Sequence, residues 1–343
     1  MTVYRCPDLP RSYSSIETEA AIYDFITIAL RADNGDVVLL GRRGTIHGYE
    51  DAAGVRKWIS DDGGASWTGT EVANDANYDD RGVAGGIIPA TGTIMLFYTR
   101  HNDAEADPYD LRILRSTDHG ANFADLGTLS TGADEGFRAF GRVAELPSGK
   151  VLQSFYSRGA GYYRINIQYS DDDGLTWGTD TDIFTHAATY YTEPDVIYVD
   201  GSNDATARLL CVARNSGGVL RQFSSADGGA TWDDDGDLPF SQGIDKDVAP
   251  SLFLYQGLVY LIYTDRTDDM MKYAVAIGAD VIGDVTAWSQ GIAIYTAQAT
   301  LDQDQLYTQV VALADVALPT TTDLHVVFCD APGTDEPDVF HSF

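Results

Sequence analysis

Short apolar segments with alternating side chains recur along the whole chain, and each follows a turn and ends at a polar or charged residue. A two-residue period of this kind is typical of β-strands, and no segment has a convincing helical period. Successive segments end 52 to 64 residues apart. The segments occupy residues 35–43, 92–100, 149–158, 207–214, 257–266 and 323–330.

A second pattern, Ser-x-Asp-x-Gly followed three residues later by Trp or Phe, occurs four times at intervals of 56, 54 and 55 residues. An Asp carboxylate accepts hydrogen bonds from nearby backbone amides and can hold a tight hairpin. The Gly permits a positive φ, and the aromatic ring can pack between neighbouring sheets. We therefore expect structural roles for the four aspartates of this motif, which are Asp62, Asp118, Asp172 and Asp227.

The two repeats together predict an all-β fold. Six units of about 55 residues, each large enough for four strands, are typical of a six-bladed β-propeller. We expect a single domain over residues 1–343, with an N-terminal strand from residues 1–19 closing the last blade. The predicted blades span residues 20–75, 76–130, 131–185, 186–240, 241–295 and 296–343.

The excess of acidic over basic residues argues against some classes of binding partner. The chain has 22 basic and 52 acidic residues, a net charge of −30, and 43 of the acids are Asp. Without a basic stripe, we expect neither nucleic-acid binding nor attraction to an anionic membrane. In molar salt the Debye length falls to about 3 Å, which screens repulsion between carboxylates. The composition therefore favours a hypersaline environment, with an ordinary acidic secreted protein as the alternative.

Targeting and cofactor signals are sparse in this sequence. It has no apolar run long enough to cross a membrane, and no classical signal peptide is visible. Its six His residues lack zinc-site spacing, so we predict no metal and no cofactor. Acidic pairs such as Asp171 and Asp173 lack the spacing of a calcium loop, which leaves a structural Ca²⁺ open without a motif to predict it.

The Ser-x-Asp-x-Gly-x-Thr-Trp turn resembles the Asp box, or BNR repeat, of the sialidase (neuraminidase) superfamily, and the resemblance covers nearly the whole chain. It implies a six-bladed propeller with an arginine triad for a substrate carboxylate, a Tyr nucleophile activated by a Glu, and an Asp acid/base. Planar guanidinium groups suit a carboxylate because they bind it in a bidentate manner. Non-catalytic propellers carry the same turn, so it indicates the fold more strongly than the activity.

Three residues match the catalytic positions that the resemblance implies. Glu193, in Thr-Glu-Pro-Asp, resembles the activating Glu, and Tyr307, in Leu-Tyr-Thr-Gln, resembles the nucleophile. The loop before the first Asp box makes Asp51 the candidate acid/base, with Glu50 as its rival. The structural alternatives are a core aromatic for Tyr307 and a solvated loop position for Asp51.

The resemblance also implies substrate-binding positions. Arg214 matches the second arginine of the triad, and Arg266 is the candidate for the third, although both could pair with nearby carboxylates instead. Asp24 stands where the family has its first arginine, and a carboxylate there would repel a substrate carboxylate. Another guanidinium would have to replace it, and the candidates are Arg42, Arg43, Arg81, Arg138 and Arg142.

Taken together, these features predict a glycan-engaging protein. The first hypothesis is an exo-sialidase-type glycoside hydrolase that acts on extracellular glycans at high salt. The alternative is a non-catalytic glycan- or receptor-binding propeller, such as a virion spike, a fibre head or an adhesin, and a third reading is a scaffold for protein–protein assembly. We expect a carbohydrate or glycoprotein partner and a location outside the cell or on a virion surface. Homo-oligomer formation and virion assembly both stay open.

Overall fold

The structure is a computed structural model of the 343-residue chain. It describes residues 23–45, 49–64, 66–102, 110–129, 135–159, 161–178, 180–241, 247–268 and 270–296, and the backbone of 13–15, 308–312, 324–330 and 338–342.

Five blades are each formed by four consecutive antiparallel strands. They follow the N-terminal strand β1 (Tyr13–Ser15). The first blade contains β2 (Tyr23–Arg31), β3 (Val37–Gly44), β4 (Gly54–Ser60) and β5 (Thr68–Ala73). The second contains β6 (Asp79–Ile88), β7 (Thr93–His101), β8 (Asp110–Ser116) and β9 (Ala124–Thr128). The third contains β10 (Glu135–Glu145), β11 (Val151–Gly159), β12 (Tyr162–Ser170) and β13 (Thr181–His186).

The fourth and fifth blades repeat this order and carry the short helices that the structure describes. The fourth contains β14 (Tyr191–Asp200), β15 (Arg208–Asn215), β16 (Leu220–Ser225) and β17 (Asp233–Asp237), with a 3₁₀ turn at Asp204–Thr206. The fifth contains β18 (Asp247–Tyr255), β19 (Leu258–Asp265), β20 (Met270–Ile277) and β21 (Ile292–Thr296). Between β20 and β21 lie the one-turn helix α1 (Gly278–Val281) and a 3₁₀ turn at Val285–Ala287.

A sixth four-stranded sheet joins the two ends of the chain. It contains β22 (Thr308–Ala312), β23 (Leu324–Asp330) and β24 (Asp338–Ser342), and β1 pairs with β24 at its outer edge. The inner strand β22 lies beside both β2 and β18, which closes the ring. The predicted all-β propeller is therefore confirmed. The blades formed from one continuous stretch of chain number five rather than six, because strands from both termini build the remaining sheet.

The apolar core lies between the blades. One cluster joins the first and second blades through residues such as Leu40 and Leu96, and another joins the second and third through Phe97 and Phe155. Further clusters join the third blade to the fourth and the fourth to the fifth. The second, third and fourth blades thus each bury apolar residues on both faces against their neighbours, so this part of the ring depends on contacts between blades for its apolar burial.

The third Asp box illustrates the turn chemistry. Asp172 Oδ1 accepts hydrogen bonds from the Ser170 hydroxyl at 2.9 Å and the Thr176 amide at 2.8 Å, and Oδ2 accepts from the Thr176 hydroxyl at 2.6 Å. The Trp177 ring packs edge-on against Phe97 of the preceding blade, with 5.1 Å between centroids. The turn therefore fixes an aromatic ring between two blades. Equivalent hydrogen bonds surround Asp62, Asp118 and Asp227.

Removing the turn carboxylate should destabilise the fold, whereas removing its exposed neighbour should not. We expect Asp172→Ala to lower the free energy of unfolding by about 1–2 kcal/mol, because it leaves the Thr176 amide without its acceptor. Asp171→Ala is the matched control: its side chain is 77% exposed, so the change should stay within about 0.5 kcal/mol. Urea unfolding at constant salt measures both variants, and equal losses would contradict a structural role for the turn.

Candidate functional site

A cavity of about 210 Å³ opens beside the inner strands of the first four blades. Arg81, Arg138 and Glu193 reach it from the N-terminal ends of β6, β10 and β14, and Arg42 reaches it from β3. The cavity is therefore built by residues at repeat-related places in the ring. Its lining comprises Phe25, Thr27, Arg42, Tyr49, Arg81, Gly82, Val83, Thr99, Arg138, Ala139, Phe140, Tyr156 and Glu193.

The charged lining of the cavity is opposite in sign to the protein as a whole. Three of the lining residues are arginines, and Glu193 is the single carboxylate among them, although the chain carries a net charge of −30. Guanidinium groups collected in a recess attract an anion and can hold a carboxylate through paired N–H donors. The cavity therefore has the chemistry of an anion-binding site lined in part by aromatic rings.

A buried carboxylate holds Arg42 in position. Asp79 has no exposed surface, and its two oxygens accept from Arg42 Nε at 2.7 Å and Nη2 at 3.0 Å. The same carboxylate lies 3.4 Å from Arg81 Nη1 and accepts the Glu50 backbone amide at 3.1 Å. Asp79 thus orients the guanidinium of Arg42 and ties the 49–51 loop to the second blade, while it neutralises part of the local positive charge.

Tyr49 links two of the arginines. Its ring lies 4.7 Å from the guanidinium of Arg81 and 5.1 Å from the ring of His101, and its hydroxyl is hydrogen-bonded to Arg138. Burial, together with the nearby Arg138, Arg81 and Arg42 charges, lowers the pKa of His101 to about 3. At neutral pH His101 is therefore an uncharged support beneath Tyr49, and the tyrosine ring stays available at the cavity with 38% of its surface exposed.

Glu193 has an unusual backbone. Its φ is 55°, in the left-handed region that costs a non-glycine residue about 1–3 kcal/mol. It begins the bulge of β14, and the corresponding bulge of β6 has Gly82 at this place, with a φ of 63°. Its carboxylate lies 2.7 Å from Arg214 Nε and 2.9 Å from Nη2. A glutamate thus occupies a glycine-type position and makes a bidentate ion pair with Arg214.

The other site residues predicted from the sequence are not among the described residues that line the cavity. Asp51 is exposed in the turn after Tyr49, and Arg266 follows the end of β19; neither is among the described cavity-lining residues. Asp24 lies in β2 in register with Arg43, and the residues of β2 that line the cavity are Phe25 and Thr27. Tyr307 lies outside the residues that the structure describes.

Three of the arginines named from the sequence as possible replacements, Arg42, Arg81 and Arg138, line the cavity. Arg142 is not among the lining residues. Its amide donates to Asp195 at 3.2 Å and its Nη2 contacts Ser251 at 3.0 Å, so it joins inner strands. Sequence reasoning missed the roles of Asp79 and Tyr49. Asp79 is one of 43 Asp residues and Tyr49 one of 20 Tyr residues, so no local pattern in the sequence marks either of them.

In the described part of the chain, no group of three or more His, Cys, Asp or Glu side chains is arranged to hold a metal ion. None of the helices described there is long and apolar enough to cross a membrane.

Four-stranded antiparallel sheets surround an arginine-lined cavity, and four of them have an Asp-box turn between their third and fourth strands. This arrangement defines a propeller of the sialidase fold. The sequence profile of the BNR repeat-like domain matches residues 48–278, about two thirds of the chain. The chain belongs to this BNR repeat-like family. A comparison with curated protein sequences gave no match.

Solved structures share the fold at low identity. A Dyadobacter fermentans protein described as of unknown function is 17% identical, with a TM-score of 0.77 over 98% of this chain and 99% of its own. The phage phi92 endosialidase is 11% identical, with a TM-score of 0.71 over 97% of this chain and 69% of its own. A Trypanosoma rangeli sialidase in complex with sialic acid is 14% identical, with a TM-score of 0.68 over 97% of this chain. This chain spans 59% of the trypanosomal protein.

Proposed function

We propose that the protein binds a terminal, carboxylate-bearing sugar of an extracellular glycan in its central cavity and hydrolyses the glycosidic bond of that sugar at high salt. The observation that carries this proposal is the convergence of Arg42, Arg81 and Arg138 on one cavity of a strongly acidic chain. Long-range attraction of an anion is unfavourable at a net charge of −30, so a local cluster of guanidinium groups is the feature that would select one.

The aromatic part of the lining supports a sugar over a small inorganic anion. Tyr49, Tyr156 and Phe140 supply apolar ring faces, while the arginines supply fixed donors. Ligand sites commonly combine such apolar walls with a few convergent polar groups that fix orientation. A pyranose that carries a carboxylate offers both kinds of surface.

The proposed chemistry uses three residues named from the sequence. Glu193 accepts the phenol proton of Tyr307 while the phenolate oxygen bonds to the anomeric carbon. Asp51 gives a proton to the departing glycosidic oxygen and then takes one from the water that hydrolyses the tyrosyl intermediate. The ion pair with Arg214 orients the carboxylate of Glu193. A phenol meets an anionic sugar with less repulsion than a carboxylate nucleophile would.

Turnover of a fluorogenic sialoside tests this proposal. Purified protein in ~3 M NaCl, where repulsion is screened, should release the fluorophore. Tyr307→Phe should reduce turnover by more than about 10³-fold, as expected for loss of a nucleophile, without changing the melting temperature. Tyr255→Phe is the control, because Tyr255 ends β18 and hydrogen-bonds to Gln256, away from the cavity lining.

The outcomes separate the alternatives. Full turnover in Tyr307→Phe would show that the nucleophile is another residue. A folded wild type that binds sialic acid by calorimetry but forms no product would favour the second candidate, a glycan- or receptor-binding propeller on a cell or virion surface. The exposed position of Asp51 outside the cavity lining favours that candidate. A folded protein that neither binds nor cleaves would overturn the proposal.

A further inference from the structure

A row of three tyrosines extends from the cavity over the third blade. Tyr156, in the second half of β11, lines the cavity, and its ring centroid lies 6.3 Å from that of Tyr190. The ring of Tyr190 in turn lies 4.7 Å from that of Tyr163, near the start of β12. All three side chains are partly exposed. The three rings come from different segments and form a continuous aromatic surface that begins at the cavity wall.

The neighbouring Tyr191 shows that this row is distinct from the core. Its side chain is 6% exposed and packs edge-on against Phe184, with 5.2 Å between centroids, in the cluster between the third and fourth blades. Adjacent residues of an extended chain point to opposite sides. Of two consecutive tyrosines, one is therefore committed to the core, and Tyr190 is left beside the cavity.

Tyr190 lies close to charged residues that line the cavity, Arg138 and Glu193. Burial raises the pKa of its phenol, and the Arg138, Glu193, Arg158 and Arg214 charges act on it as well. The phenol is therefore neutral at physiological pH and able both to donate and to accept a hydrogen bond. Uncharged rings that carry hydroxyl groups suit a neutral sugar, because they supply flat apolar faces and polar edges together.

We propose that Tyr156, Tyr190 and Tyr163 form a second subsite, which binds the neutral hexose attached to the acidic sugar in the cavity. This inference rests on the proposed function, because the acidic sugar fixes the starting point of the chain. The continuity of the tyrosine row with the cavity through Tyr156 determines the direction in which the glycan leaves. Arg158, which is exposed beside this row, borders the same subsite.

Affinities for two ligands test the subsite. Calorimetry compares free sialic acid with sialyllactose, in the Tyr307→Phe background so that no product forms. We expect the parent to bind sialyllactose about tenfold more tightly, the gain that corresponds to about 1.4 kcal/mol from ring stacking. Tyr163→Ala should remove most of this gain and change the affinity for free sialic acid by less than about twofold.

Two variants keep the test specific. Tyr190→Ala should act like Tyr163→Ala, and Tyr255→Ala, which removes a tyrosine remote from the row, should change neither affinity. Equal affinity of the parent for both ligands, or an equal loss for both ligands in Tyr163→Ala, would overturn the subsite while leaving the proposed function intact. Failure of the folded parent to bind either ligand would overturn both.

Discussion

Asp195→Ala is expected to lower the free energy of unfolding by about 3–5 kcal/mol, because it removes a buried charged acceptor from the centre of the ring. Asp195 is 1% exposed. Its Oδ2 accepts the Leu252 amide at 2.7 Å, and its Oδ1 accepts the Arg142 amide at 3.2 Å. The carboxylate on the fourth blade therefore bonds to the backbones of the third and fifth blades at once.

The expected loss of unfolding free energy comes from the two backbone amides that Asp195→Ala leaves without an acceptor. Without the carboxylate, two backbone amides on different blades become unpaired in the interior, and each unpaired donor costs about 1–3 kcal/mol. Gly141 also depends on this packing, because a Cβ at that position would lie 2.5 Å from Asp195 Oδ1. The inner strands are therefore fitted closely around the carboxylate.

The ionisation of Asp195 makes the effect dependent on pH. Burial raises the pKa of this carboxyl, while Arg142 and the backbone amides act in the opposite direction. A raised pKa in the folded state means that the stabilising contribution is complete below the unfolded value, about 3.9, and declines as the pH rises through the folded value. Asp195→Asn, which avoids burying a charge, should therefore cost less than the alanine variant at neutral pH.

Urea unfolding of both variants in constant ~3 M NaCl measures these differences. The expected order of stability is wild type, then Asp195→Asn, then Asp195→Ala. An alanine variant within about 1 kcal/mol of the wild type would show that these hydrogen bonds contribute little to holding the blades together.

The repeat and its turns could be predicted from the sequence because their chemistry is local. Ser170, Asp172 and Gly174 satisfy one another within five residues, so the motif alone indicates the turn. The convergence of Arg81 and Arg138 is different, because it depends on the position of whole blades around the ring. Their repeat-related places at the starts of β6 and β10 are visible only once the strand bounds are known.

The Asp-rich composition gives no indication that Asp79 is buried and holds Arg42 at the cavity. In a chain with 43 Asp residues, the pair at positions 79 and 80 is typical of a solvated loop, yet Asp79 is fully buried against Arg42. Pattern alone does not distinguish a buried Asp from the many that keep the surface hydrated. Glu193 could be found through the family resemblance, but its positive φ could not, because glutamate rarely adopts that conformation.

Glu193→Gln is expected to reduce sialoside turnover by about 10²–10⁴-fold, the range typical for loss of a general base. The amide keeps the size of the side chain and an oxygen for Arg214, so the fold should be retained. Initial rates on the fluorogenic sialoside, compared with the melting temperature of the same preparation, measure both effects. Wild-type rates in this variant would rule out Glu193 as the base.

Glycine and alanine at position 193 separate the chemical role from the backbone strain. Both variants lose the carboxylate and should lose turnover to the same extent. Glu193→Gly relieves the left-handed φ of 55°, whereas Glu193→Ala keeps the strain, so the glycine variant should be more stable by about 1 kcal/mol. Gly82→Ala, at the corresponding bulge of β6, is the reciprocal control. It should destabilise the protein, because its Cβ would lie 3.0 Å from Thr99 Oγ1 at a φ of 63°.

A stable but inactive Glu193→Gly protein would mean that glutamate occupies this strained position for its carboxylate. Equal stability of the glycine and alanine variants would show instead that the backbone relaxes freely and that the conformation carries no functional cost.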